Sequence, residues 1–189
     1  MIILETDRLI IRNWREPDRD FFFEVNSDQK VMEFYPVRRD RANADAFFDH
    51  LHRLISETGL GFYALESKAT GETVGFCGLA RTDLEPFIPL GTVEIGWRMP
   101  VRFWGQGFIS EAATALLRHG FETLHLDEIV SFAVHNNHRS TAVMRRIGMH
   151  RDMNGDFDHP RVPDSKPALK HHVLYRLTAD QWRDAEGAA

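Results

Sequence analysis

The chain has a single cysteine, Cys77, among 189 residues. No internal disulfide can form, and no cysteine zinc cluster either. A reducing compartment, the cytoplasm, suits such a chain. Apolar runs stay well below the roughly 20 residues that a membrane helix needs, and no secretory core follows Met1. A membrane is therefore not an expected partner. Positive charge is scarce too: 23 Lys and Arg face 28 Asp and Glu, for a net charge of −5. A duplex-binding domain carries a basic excess, so nucleic acid is not expected as a partner. The ten histidines show no metal-ligand spacing. His50 and His52, two apart, point away from each other on a helix, and no metal is expected. Repeats and low-complexity stretches are absent. What remains is an ordinary globular composition, 43% hydrophobic and 27% charged, long enough for one domain over 1–189 with a sizeable core.

Residues 2–13 read as a first strand, with Leu9 and Ile11 alternating with Arg8 and Arg12. Pro17 opens a short helix through Asn26. A longer helix follows over about 42–58, with Phe47, Phe48, Leu51, Leu54 and Ile55 as its buried stripe and Gly59 as its stop. Gly61–Glu66 and Thr73–Ala80 form antiparallel strands around the turn at 69–72. The second is nearly all apolar, which makes it central. Cys77 sits inside it, and a buried inert thiol is the expectation. The segment 83–91 is a loop whose Phe87 and Ile88 form an apolar tip, a candidate for a dimer contact or the acceptor site. Glu128–Val134 is an apolar run suited to a parallel strand covered on both faces. Asn136 and Asn137 then precede a helix that ends at Ile147, with Gly148 as its stop. Residues 152–170 are a polar loop with three prolines. A strand over His172–Leu177 and a short helix over 180–186 end the chain.

The stretch Val93–Phe121 carries the strongest signal. A strand over Val93–Met99, bounded by Gly91 and Pro100, leads to Arg102-Phe103-Trp104-Gly105-Gln106-Gly107 and then to a helix. That helix has apolar positions at Ile109, Ala112, Ala113, Leu116, Leu117 and Gly120. Glycines at a helix entrance permit a tight turn and a close ligand approach, beside N–H groups that have no helical partner. Such a place binds phosphate. A P-loop is excluded, because Phe108 and Ile109 stand where Lys and Ser/Thr are required. The dinucleotide fingerprint fails as well: Ser110 replaces its third glycine, and Asp127 and Glu128 precede the next strand instead of ending it.

Arg102-x-x-Gly105-x-Gly107 does resemble the R/Q-x-x-G-x-G/A signature of the GNAT superfamily of N-acetyltransferases. Trp104-Gly105-Gln106-Gly107 and Ser110-Glu111-Ala112 are similar to its ribosomal-protein N-terminal branch, the RimJ/RimL type. Asn137-x-x-Ser140 followed by Val143-Met144-Arg145-Arg146-Ile147-Gly148-Met149 resembles the final helix of that family. Leu4-Glu5-Thr6-Asp7-Arg8-Leu9 resembles the start of the branch. The resemblance implies an α/β fold of three layers, α/β/α. Its sheet is mixed and mostly antiparallel, with central parallel strands that splay. Acetyl-CoA is the implied cosubstrate and an amine the implied acceptor, a peptide N-terminus or a small molecule, on a monomer or homodimer.

Within that frame the diphosphate falls to Arg102, Gly105, Gln106, Gly107, Phe108, Ile109 and Ser110. Pantetheine falls to the backbone of Trp97, Arg98 and Met99 and to Asn137, Ser140 and Met144. Asn137 is in any case a suitable helix cap. Arg139, Arg145, Arg146 and Arg151 crowd the second block, either as solvated surface or as local charge for the cofactor. Phe34 and Tyr35 belong to the region that forms one acceptor wall in the family, although plain core packing is the simpler role.

Acetyl transfer needs the thioester fixed beside a neutral amine, and a leaving thiolate that is stabilised or protonated. An alkylammonium with a pKa near 10.4 is neutral in about one molecule per thousand at pH 7.4, a cost of roughly 4 kcal/mol. An α-amine near 7.7–8 costs about 1 kcal/mol or less. Glu94 is the candidate base, on the strand where related enzymes carry a catalytic Glu; otherwise it is a strand carboxylate with a structural role. Ser140 is the candidate acid. Many family members use a Tyr after the last helix, but Gly148-Met149-His150-Arg151 holds none. Otherwise Ser140 is a first-turn helix residue. His135, Asp156 and His159 are reserves for acceptor binding. The expected activity is direct acetyl transfer in a ternary complex. The alternative is a non-catalytic acyl-CoA-binding module.

Overall fold

The computed structural model describes residues 1–187. Eight strands form one sheet: β1 (Ile2–Glu5), β2 (Leu9–Arg12), β3 (Gly61–Ser67), β4 (Thr73–Arg81), β5 (Val93–Arg98), β6 (Glu128–Val134), β7 (His150–Asp158) and β8 (His171–Thr178). Their spatial order is β1-β2-β3-β4-β5-β6-β8-β7. Every neighbouring pair is antiparallel except β5 and β6. Among the described residues there are also five α-helices: α1 (Arg19–Ser27), α2 (Arg41–Thr58), α3 (Phe108–Arg118), α4 (His138–Arg146) and α5 (Ala179–Gly187).

Alternation along β4 assigns the layers. Phe76 faces α1 and α2, where it meets Phe22 and Trp14 at ring distances of 6.1 and 5.9 Å. Leu79 points the other way, toward the end of α3, where a side chain on Gly120 would strike it. Both faces are thus buried, which is why β4 carries so few polar residues. Cys77 is fully buried, and desolvation pushes its thiol pKa up. It is an inert core residue, as expected.

Two elements depart from the sequence reading. Residues 2–13 form two strands, because Thr6 N–H donates to Leu9 O and Leu9 N–H to Thr6 Oγ1, which reverses the chain at Thr6-Asp7-Arg8. The polar stretch 152–170 is no continuous loop, because its first part belongs to β7, paired with β8. As expected, β6 runs parallel to β5, over two residue pairs, and it pairs antiparallel with β8 along its whole length.

Candidate active site

At the centre of the sheet β5 and β6 pair only at Val93–Ile129 and Glu94–Val130. The buried Ser131 hydroxyl then donates to Ile95 O at 2.8 Å. Beyond this tie the strands part, and the β6-facing edge of Gly96–Arg98 has no strand partner. Backbone groups left open in a sheet need another partner. Two cavities meet at this fork and share Phe34, Tyr35, Trp97, Arg98, Asn137 and Ser140 on their walls.

The first cavity, about 470 Å³, lies at the start of α3. Gly105 and Gly107 adopt left-handed backbone, φ +75° and +81°, which bends the chain from a short 3-10 turn at Val101–Phe103 into the helix. Gly107 caps α3 without a side-chain acceptor. From Gly107 to Ser110 the backbone N–H groups find no acceptor among the described residues. Together with the helix dipole, they form a site for negative charge. A brace from the N-terminal turn holds this helix start. Arg8 Nε and N–H donate to Glu111, Thr6 Oγ1 donates to Glu111 at 2.5 Å, and Arg8 Nη1 donates to Gln106 O at 3.0 Å. Thr6, Arg8 and Glu111 stand in stretches that carry the family resemblance, but their contact was not legible from sequence, because it spans about a hundred residues.

Trp97, Arg98, Met99, Gly105, Gly107, Phe108, Ile109, Ser110, Asn137 and Ser140 all line this cavity, as do Arg139 and Arg146. Arg146 donates to Ser110 Oγ at 3.2 Å, and Arg139 lies 4.5 Å over the Trp104 ring. The side chains of Arg102 and Gln106 do not join them. Arg102 pairs with Glu24 on α1, and Gln106 Nε2 turns back to Arg102 O. Met144 is buried and lines the other cavity. Arg145 and Arg151 point elsewhere, to the Tyr175 hydroxyl and to Asp156.

The second cavity, about 370 Å³, lies on the α1–α2 face. Glu94 lines it, half-buried, and its carboxyl has no hydrogen-bond partner among the described residues. Desolvation raises its pKa to about 7, against a smaller opposing effect from Arg161. Phe34 and Tyr35 stand on the cavity wall and not in the core; Tyr35 is 39% exposed. His159 lines the same space, with a pKa lowered to about 4 by burial and by His172, so it is neutral at ordinary pH. His135 and Asp156 do not line it. Phe62, Ser131, Arg161 and His172 do, and no local pattern marks them in the sequence. In the segment 83–91 Ile88 is fully buried, while Phe87 stays exposed and stacks on Phe157 at 5.4 Å; Asp83 and Leu84 of the same segment line this cavity. Ser140 sits where both cavities meet. Its N–H donates to the capping Asn137 Oδ1, while its hydroxyl has no partner among the described residues.

A parted central strand, an uncapped helix entered through two left-handed glycines, and a protonatable carboxyl across the fork form a specific combination. The family model described as an acetyltransferase (GNAT) domain matches residues 8–150. The chain belongs to the GNAT acetyltransferases. It is 28% identical to the FsC-acetyl coenzyme A-N(2)-transacetylase of Aspergillus fumigatus, over 95% of this chain and 77% of that protein. A GNAT acetyltransferase of Bacillus anthracis has the same fold, with a TM-score of 0.78 at 24% identity, over 95% of this chain and 99% of that one. The ribosomal α-N-protein acetyltransferase RimL, solved with coenzyme A, also shares it, with a TM-score of 0.75 at 16% identity over 96% and 99%. As a GNAT member the chain is an N-acetyltransferase. Among the described residues no group of His, Cys, Asp and Glu is placed to hold a metal, and no helix is long and apolar enough to cross a membrane.

Proposed function

We propose that this GNAT protein moves an acetyl group from acetyl-CoA to a primary amine by direct transfer, with both substrates bound across the fork. One observation carries the reading: the unpartnered carboxyl of Glu94 and the unpartnered amides of Gly107–Ser110 lie on two cavities that share a wall. The residues fit the cofactor. The amides and Arg146 suit a diphosphate, and a Cβ built on Gly105 meets nothing, so the approach is open. The free edge of β5 offers the backbone groups that a pantetheine amide pairs with in place of a strand.

When bound, acetyl-CoA supplies the thioester carbonyl. Glu94 takes a proton from the acceptor ammonium, directly or through water, and frees the nitrogen lone pair for attack. A carboxyl poised near 7 suits this task, since it is substantially ionised at neutral pH and still a useful base. As the C–N bond forms and the C–S bond breaks, backbone N–H groups near Trp97–Met99 hold the carbonyl oxygen. Ser140 donates its hydroxyl proton to the departing sulfur and regains one from the substrate nitrogen through water, as that nitrogen sheds its second proton to become the amide. A base of this kind is needed for an alkylamine and hardly at all for a peptide N-terminus. The retained carboxyl therefore favours a small or side-chain amine.

A thiol-release assay against alkylamines, amino acids and N-terminal peptides tests this, with acetyl-CoA binding measured by calorimetry in the same samples. The expected result is thiol release that depends on an added amine. Protein that binds acetyl-CoA yet releases no thiol with any acceptor would overturn catalysis and leave the acyl-CoA-binding alternative.

A further inference from the structure

One end of the acceptor cavity has an uncompensated charge. Five arginines lie off the open surface: Arg12, Arg19, Arg39, Arg98 and Arg176. Carboxylates hold three of them: Asp18 and Glu66 hold Arg12, Glu16 and Asp49 hold Arg19, and Glu128 and Asp152 hold Arg176. Arg39 and Arg98 have no acidic partner among the described residues. Arg98 Nη1 donates to the neutral Asn26 Oδ1, and its Nε is buried with no partner. Its guanidinium lies 4.0 Å over Tyr35 and 5.3 Å from Phe76. Arg39 stacks on Phe47 at 4.2 Å, and burial together with the Arg98 charge lowers its pKa. Acids are plentiful in this chain, 28 in all, yet among the described residues none serves these two cations. A half-buried guanidinium with an idle donor is costly unless an anion completes it.

The position of Arg98 says where that anion comes from. Glu94, Gly96 and Arg98 alternate onto one face of β5, so the candidate base and the idle guanidinium border the same floor. The floor is bare at Gly96, and the Phe62 ring closes over it, 2.9 Å from where a side chain would begin. The cofactor diphosphate has its own site at the start of α3, beside Arg139 and Arg146, and pantetheine carries no charge. Arg98 stands on the wall that both cavities share, and the anion left for it to meet is on the other substrate.

We propose that the acceptor is a primary amine that also carries an anionic group, a carboxylate or a phosphate, and that Arg98, backed by Arg39, binds that group. The amine sits at the Glu94 end, and the aromatic walls of Phe34, Tyr35, Phe62 and Phe76 take the carbon spacer between. This assignment rests on the acetyl-transfer reading. Four extended residues separate the two ends by roughly 13 Å between Cα atoms, before the side chains reach inward. The favoured acceptor is therefore a chain of several carbons and not a compact α-amino acid.

The test is a matched series: ω-amino carboxylates of two to six carbons and aminoalkyl phosphates, against alkylamines and amino alcohols of equal length. The expected result is kcat/KM higher for the charged amines by roughly 10- to 100-fold, the range of a charge-assisted hydrogen bond. Arg98→Gln keeps a group able to reach Asn26. It raises KM for charged acceptors by a similar factor, with little change in kcat, and raises KM for neutral amines far less. Arg98→Lys restores part of the preference, and Arg39→Gln gives a smaller loss of the same kind. Carboxylate against phosphate within the series decides which anion fits. Equal use of charged and neutral amines, no acetylation of any charged amine, or an Arg98→Gln variant that weakens both classes alike would overturn the proposal. Calorimetry with acetyl-CoA separates the two readings. No cofactor binding sinks the acetyl-transfer reading and this one with it. Cofactor binding without a preference for charge sinks this one alone.

Discussion

The two cavities at the fork are built by opposite means. The cofactor side is organised around backbone: two glycines, a run of free amides and a strand edge within residues 96–110, with α4 and the α1–α2 connection closing it. The acceptor side is mostly side chains, gathered from the α1–α2 connection, β3, β4, β5, β6 and the segment that leads into β8. A backbone site is dictated by local conformation, so a short motif specifies it. A side-chain site depends on which distant segments the fold brings together, so it can be altered piecemeal while the cofactor grip persists.

The largest expected effect breaks one side and spares the other. Glu94→Gln should lower kcat with an alkylamine by roughly 10²- to 10⁴-fold while the Kd for acetyl-CoA stays within about twofold. Turnover and calorimetry on one preparation check both halves. In the unaltered protein the rate should rise with pH through an inflection near the Glu94 pKa of about 7. Ser140→Ala comes next, with a loss of about 10- to 100-fold in kcat and retained cofactor affinity. Full activity in that variant would remove Ser140 from the mechanism. Gly107→Val acts on the opposite cavity. A β-branched residue at φ +81° strains the entry to α3, and acetyl-CoA binding should weaken by about 10- to 100-fold, with kcat at saturation little changed.

Stability gives a further contrast. Glu94 keeps its proton up to about 7 in the folded chain, but only to about 4.5 when unfolded. The folded state thus binds more protons in between, and stability falls as pH rises through that window. Glu94→Gln should be more stable than the parent at pH 8, by on the order of 2 kcal/mol, and no more stable at pH 4. Denaturant melts at both pH values would show it. The smallest effect is expected at the tie: Ser131→Ala should cost about 1 kcal/mol, read by the same melts.

The same contrast explains how far the sequence could be read. The strand, turn and helix around Gly105 and Gly107 were legible because periodicity and glycine spacing are local signals. So was Asn137, whose capping bond reaches only three residues to Ser140. β7 stayed hidden because it is an edge strand whose one fully buried side chain is Phe157, so no apolar alternation marks it. The N-terminal hairpin merged into one strand because its reversal rests on Thr6, whose hydroxyl role is visible only in space. Arg102 shows the opposite failing. Its place in the motif suggested a cofactor contact, while the fold turns its side chain to Glu24. The aromatic and cationic walls of the acceptor cavity had no sequence signature, because their residues come from segments up to 138 positions apart, Phe34 to His172 among them.

Two residue pairs and the Ser131–Ile95 tie join β1–β5 to β6–β8, two leaves along a short seam. A guest lodged in the gap supplies rungs that the chain itself omits, so it should splint the leaves as well as react. Cofactor at a hundred times its Kd would add about 2.7 kcal/mol to the folded state. Amide hydrogens along β5 and β6 should then exchange more slowly than those of β7, far from the gap, which makes deuterium uptake a gauge of occupancy that needs no knowledge of the acceptor.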